Sequence, residues 1–201
     1  MTGSDAMTAR DLLIEATKRL IWERGVNATS PGAILNASGV GQGSMYHHFS
    51  GKPALAAAAA ASLAADLQAE TDRMLGGAEA SPLAKVRAYL DADRDALRGC
   101  RLGRLAFDPG RDDGVAAPIA AYFTGLQRTL AQLLDQAVTA GELVDSTDTT
   151  AVATVIVAGV QGGFVLAALT GDPRAMTDTT RGLQALLPRA VTSHAPRPRS
   201  Q

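Results

Sequence analysis

The chain has 201 residues and a formal net charge of −1, enough length to bury a proper core in one or two small domains and too little positive charge for bulk electrostatics to bind nucleic acid. Its one cysteine excludes an internal disulfide framework and any cysteine-rich zinc site. The opening MTGSDAMTARD has no basic segment followed by an apolar run, so no secretory signal is expected and the cytoplasm is the expected location.

Thr8 to Arg24 reads as an amphipathic helix with Leu12, Leu13, Ala16, Leu20 and Ile21 on one face. Thr8 and Asp11 form a capping box, and Gly25 stands where a helix commonly ends. Residues 26–52, VNATSPGAILNASGVGQGSMYHHFSGK, then read as two short helices around a tight turn. Ser30-Pro31 opens the first, because a serine oxygen caps free N–H groups and proline's fixed φ suits the first helical position. Ile34, Leu35 and Ala37 follow at helical spacing, and Ser38-Gly39-Val40 breaks the pattern with a glycine that tolerates the positive φ of a helix exit.

The second helix runs from about Gln42 to Phe49, with Met45 and Phe49 inward and Gln42, Gly43, Ser44, Tyr46 and His47 outward. Hydrogen-bonding side chains with small residues at the helix start are what base edges and phosphates require of a recognition helix. Lys52 begins the next helix, where its charge and the helix dipole hold one phosphate together. Thr29 and Ser30 are further phosphate ligands as well as caps. Residues 1–52 carry +1 against −2 for the remainder, so DNA affinity has to come from this local face and be salt-sensitive.

Gly39-Val40, Gly43-Ser44-Met45-Tyr46-His47-His48-Phe49 and Gly51-Lys52-Pro53-Ala54-Leu55 resemble the TetR family of bacterial transcriptional regulators, whose pattern is roughly A-G-V-x-x-G-x-(L/I/F)-Y-x-(H/Y)-F-x-(S/G/N)-K-x-x-L. The match covers residues 8–55 and departs slightly, with Ser38 for alanine and Met45 for leucine. The resemblance implies an all-α fold of about nine helices, a three-helix helix-turn-helix head and a larger helical body for effector binding and dimerisation. It places Gln42 and Gly43 nearest the bases and Tyr46, His47 and Lys52 on phosphates.

Pro53 to about Leu75 is a helix with an unbroken alanine run, Ala56–Ala61, rigid and slim enough to connect head to body. The boundary is expected near residue 55, giving a head over 1–55, a body over 56–190 and a disordered tail over 191–201, rich in proline and arginine. Ser81-Pro82 starts a helix continuing to about Leu97, with Leu83, Val86, Leu90 and Leu97 inward. Gly99–Phe107 resembles the short helix that many TetR-like regulators carry there, and Asp108-Pro109-Gly110 stops it. Val115–Ala140 is a long helix with apolar residues at three- and four-residue intervals.

Ala151 to Leu169 is uncharged throughout, long enough to raise a membrane reading. Its alanine and glycine content, the internal Thr154 and Gln161, and the acidic flanks Asp145, Asp148 and Asp172 argue instead for a helix buried by a partner. Gly159 and Gly163, four apart, would let a second helix approach. With a last helix over Arg174–Leu187, this predicts a four-helix dimer interface through Val155, Gly159, Gly163, Leu183 and Leu186, in agreement with the family's usual homodimer.

An effector pocket is implied by the resemblance, and Tyr89, Leu105, Tyr122, Leu126, Gln161 and Phe164 offer an apolar lining with polar handles where the body helices converge. The expected function is a repressor that binds a palindromic operator as a homodimer and is released by a small molecule. In the expected switch, that molecule shifts the alanine-rich connector. Two other readings stand beside it: an effector-independent DNA-architectural protein using the same head, and a small helical enzyme. The enzyme reading lacks a Ser/His/Asp grouping, a phosphate loop and a Glu-x-x-His pair. No cofactor is expected. His47-His48 suggests no metal site, since adjacent helical residues diverge and no Cys or carboxylate cluster is near. Cys100 reads as small core packing or, beside Arg101 and Arg104, as an oxidant-sensitive thiol.

Overall fold

The computed structural model of the protein describes residues 7–77 and 80–187; the expected tail over 191–201 lies outside them. The described residues form eight α-helices and one short 3-10 helix, with no strand. The first four helices are α1 (Ala9–Arg24), α2 (Pro31–Ser38), α3 (Gln42–His48) and α4 (Lys52–Leu75). The body adds α5 (Pro82–Asp91), the 3-10 turn Gly103–Phe107, α6 (Asp113–Thr139), α7 (Thr149–Thr170) and α8 (Arg174–Leu186).

Capping residues set most of the boundaries. Both bonds of the Thr8–Asp11 capping box form, and the hydrogen bonds from Thr8 hold the Asp11 carboxyl below its usual range. Ser30, Ser81, Asp112 and Asp148 each accept a backbone N–H of the helix they precede, at 3.0–3.3 Å. Leu12 is exposed and Ile14 takes its expected place in the core.

The head core is Leu13, Ile14, Leu20, Ile34, Met45 and Phe49, closed by Leu55 of α4. Immediately beyond, Ala56, Ala59, Ala60 and Leu63 pack on Leu102, Leu105, Val115 and Ile119. The alanines add almost no radius, so α6 sits close against α4. A third cluster, from Leu75 through Leu126, Leu130, Leu134 and Val160, fills the body.

One expectation changes here. The helix opening at Ser81 ends at Asp91, so Leu97 is 49% exposed rather than inward. The cause is Arg94, whose guanidinium donates to the carbonyls of Leu90 (3.1 Å), Ala92 (2.7 Å) and Tyr89, satisfying the last turn and diverting the chain. Lys18 is the other buried-side cation. Burial works against its charge, but hydrogen bonds to Asp66 and Glu15 outweigh that and raise its pKa. It ties α1 to α4.

Candidate functional site

The head presents α3 as expected. Gly39 leaves α2 at φ 69°, and Ser38, where the family pattern has alanine, accepts the Val40 N–H and donates to the Leu35 carbonyl, both at 3.2 Å. That turn aims α3 with Met45 fully buried and Phe49 nearly so, which leaves Gln42, Gly43, Tyr46 and His47 exposed and Ser44 half-buried. His48 is exposed as well, edge-on to His47 and Phe49. Arg10 lies over the Phe49 ring at 5.6 Å, so its charge is held beside α3.

Lys52 stands at the start of α4 and donates to the Asn27 carbonyl at 3.3 Å, and Ser30 is exposed at the start of α2. Thr29 does not join them. It is 1% exposed and its hydroxyl donates to the Gly25 carbonyl at 2.7 Å, so that side chain serves the α1–α2 loop. Among the described residues no three His, Cys, Asp or Glu side chains gather as a metal site.

The body holds two adjoining cavities, of about 750 and 250 Å³. They share a wall of Gly99, Cys100, Gln161 and Phe164. Tyr89 and Tyr122 line the smaller one, where Tyr122 pairs with Thr71 at 3.2 Å and Arg101 with Glu70 at 2.7 Å. Burial pushes the Tyr89 phenol up to about 12 and raises that of Tyr122, so both stay protonated donors. Leu105 and Leu126 line neither cavity: each is 1% exposed and belongs to a packed core. Cys100 is half-buried at the shared wall and packs against the cluster that holds Leu102 and Leu105.

Local patterning says little about the segment from Arg98 to Gly110, which lines the larger cavity on one side and grips the head on the other. Arg98 and Phe107 line that cavity, and the Arg98 guanidinium stacks 3.6 Å from the ring centre of Trp22 in α1. Gly103 seats against Gln161 of α7 so closely that a Cβ would meet its carboxamide oxygen. A few residues on, the Asp108 carboxylate accepts the backbone N–H groups of Val26 (2.8 Å), Asn27 (3.3 Å) and Gly110 (2.7 Å). Gly25, at φ 85°, leaves room for that carboxylate, since a Cβ there would strike Asp108. A Cβ on Gly110 would in turn lie 2.8 Å from the Asn27 nitrogen. Two helix-breaking signals in the sequence, Gly25 and Asp108-Pro109-Gly110, are thus also the two halves of one contact.

The expected dimer face divides. Gly159 packs on Leu183 and Gly163 on Met176, both of α8 in the same chain, where a Cβ would lie 2.8–2.9 Å from those side chains. The glycines bring α7 and α8 of one chain together and are not free for a second copy. Val155 and Leu186 remain exposed, at 55% and 80%. Val165, Leu166 and Leu169 extend the Val155 face along α7.

Residues 13–59 match the model of the tetR family of bacterial regulatory proteins, and residues 82–183 match the tetracyclin repressor-like C-terminal domain. An uncharacterized HTH-type transcriptional regulator of Lactococcus lactis is 28% identical over 170 residues, which are 81% of this chain and 85% of that protein. Among solved structures, the regulatory protein TetR from Rhodobacter sphaeroides superposes with a TM-score of 0.77 at 26% identity, covering 89% of this chain and 98% of that one. The reduced form of NemR from E. coli superposes with a TM-score of 0.81 at 19% identity, covering 92% and 100%, a likeness of fold. With a helix-turn-helix head and a regulator body both matched, the chain belongs to the TetR family of bacterial transcriptional regulators, DNA-binding proteins and not enzymes.

Proposed function

We propose that the protein is a repressor of the cytoplasm that binds an approximately palindromic operator as a homodimer and is released when a small molecule enters the larger body cavity. Residues 1–55 read the DNA and residues 56–190 bind effector and dimerise. Gln42 and Gly43 approach base edges, while Ser30, Ser44, Tyr46, His47 and Lys52 hold phosphates. The exposed apolar face of α7, Val155 through Leu169 with Leu186 of α8, packs on a second copy. By length and composition α7 also meets the requirements of a membrane span, with 33% of its apolar stretch buried within the chain. Its acidic flanks and the α8 packing favour a partner helix over lipid. Two heads so joined enter successive major grooves, with half-sites ~34–36 Å apart.

The observation that carries the effector part is the dual role of residues 98–110. A ligand that moves the cavity wall moves the Arg98 and Asp108 grips on α1 and the α1–α2 loop. DNA affinity then falls by the ligand's differential affinity for the two head positions. The route runs through this segment as well as through the alanine-rich α4.

The test is fluorescence anisotropy with the DNA upstream of the protein's own gene, at two salt concentrations, for wild type and Tyr46→Ala. The expected result is salt-sensitive binding that saturates at two or four subunits per site and weakens about tenfold or more in the variant. Binding that is indifferent to sequence and to Tyr46 contradicts the proposal.

A further inference from the structure

The larger cavity is charged in one sense only. Its walls are apolar, from Phe123, Val157, Phe164 and Val165, and its polar side chains include Arg98, Arg104 and Gln161 but no Asp or Glu. The smaller cavity across the Cys100 wall is different: Glu70, Asp93 and Asp95 stand there with Arg94 and Arg101, and Arg101 is already paired with Glu70 at 2.7 Å. Around the larger cavity the arginines are poorly matched. The one carboxylate within ion-pair distance of Arg98 among the described residues is Asp95, at a loose 3.8 Å, and Arg104 has none there. Arg104 instead donates to the Arg98 backbone carbonyl at 3.5 Å, and both residues line this cavity.

We propose that this cavity takes an amphiphilic organic anion, a carboxylate on an apolar body of medium chain length, with the head group held by Arg98 and Arg104 and the body laid along Phe123, Phe164 and Val157. The proposal rests on reading this cavity as the effector site. The chemistry follows from what each alternative leaves unmet. A cation would face two guanidinium groups with no carboxylate in the wall, and a neutral molecule would fill the apolar surface without using either charge. Both arginines are exposed, and a carboxylate gives each guanidinium a charge-assisted bond while its chain lies on the apolar wall. The exposed Phe107 and Leu97 at the rim lie on the path an apolar chain takes inward.

An anion that engages Arg98 draws its guanidinium away from the Trp22 ring. Trp22 is the sole tryptophan, so its emission reports the event directly. The full-length protein is titrated with decanoate, decanol and decylammonium, all below their aggregation limits, and followed by Trp22 fluorescence and by calorimetry. Decanoate is expected to bind about tenfold or more tightly than either of the others. The double variant Arg98→Gln/Arg104→Gln, checked for an unchanged circular dichroism spectrum, is expected to lose that preference; calorimetry supplies the reading there, because the variant alters the fluorophore's surroundings. Decanol or decylammonium binding as tightly as decanoate, or a decanoate preference that survives the double substitution, overturns the proposal, as does a failure of decanoate to bind at all.

Release of bound DNA is scored separately. Arginine-dependent decanoate binding without release sustains the ligand class and overturns the effector reading. Release by decanol but not decanoate does the opposite.

Discussion

The head and the body solve opposite problems with the same element. In the head, short helices close around a small core, and one of them, α3, keeps its polar face outward because Met45 and Phe49 occupy the inward positions. In the body, long helices enclose cavities and leave an apolar face uncovered on α7. The head's inward positions are filled by its own chain, whereas the body keeps cavities and an apolar face that its own chain does not fill. A residue's type is therefore a better guide to its role in the head, and its position relative to a cavity is the better guide in the body.

The largest test of that contrast is Leu126→Ala. Leu126 is core and not cavity wall, so the substitution is expected to cost ~2–5 kcal/mol of stability in denaturant unfolding. The position and number of ligand sites in the larger cavity should stay the same. A stable variant with altered ligand affinity would move Leu126 back to the wall. Smaller and more specific is Asp108→Ala, which strips the acceptor from three backbone N–H groups at the junction. It is expected to lower stability by ~1.5–3 kcal/mol. DNA binding should persist while its dependence on cavity ligand shrinks, measured as the ratio of DNA affinities with and without ligand. Unchanged coupling would put the whole signal through α4.

The smallest effect is confined to high pH. Burial raises the phenols of Tyr89 and Tyr122 above the ordinary value of 10.0, so the folded state holds protons that the unfolded chain releases. Their contribution is fully present below pH 10 and is lost as pH rises toward about 12. Tyrosinate absorbance against pH should show two late-titrating phenols in the body, with stability falling over that interval and no change near neutrality. Early titration of Tyr89 would mean that its pocket is open to water.

The sequence made the head almost fully legible, because its signals are local. Pro31 and Ser30 start α2, Gly39 ends it, and Met45 and Phe49 orient α3, each by a rule that needs no distant partner. Thr29 escaped because capping and burial draw on the same hydroxyl, and only the folded loop decides between them. The body was legible as helices but not as faces. Along α7 nearly every side chain is apolar, so nothing in the sequence separates the positions that meet α8, Gly159 and Gly163, from those left open, Val155 and Leu169. Leu97 was misplaced because the end of α5 is set by a side chain five residues past Tyr89, Arg94, folding back on carbonyls. The Asp108 contact joins positions more than eighty residues apart, and no spacing rule reaches that far.

That contact has an engineering consequence. Asp108 takes hold of main-chain amides at Val26 and Asn27, and the one side-chain condition it sets on the other half is the missing Cβ of Gly25. The coupling between the halves is therefore largely indifferent to which bases the head is built to read. A chimera that transplants a foreign head onto this body keeps this contact as long as a glycine ends its first helix and the following loop offers two free amides, and keeps the Arg98 stack as long as an aromatic ring stands at the position of Trp22. Neither contact involves the outward side chains of α3, so the joint between head and body leaves them unspecified.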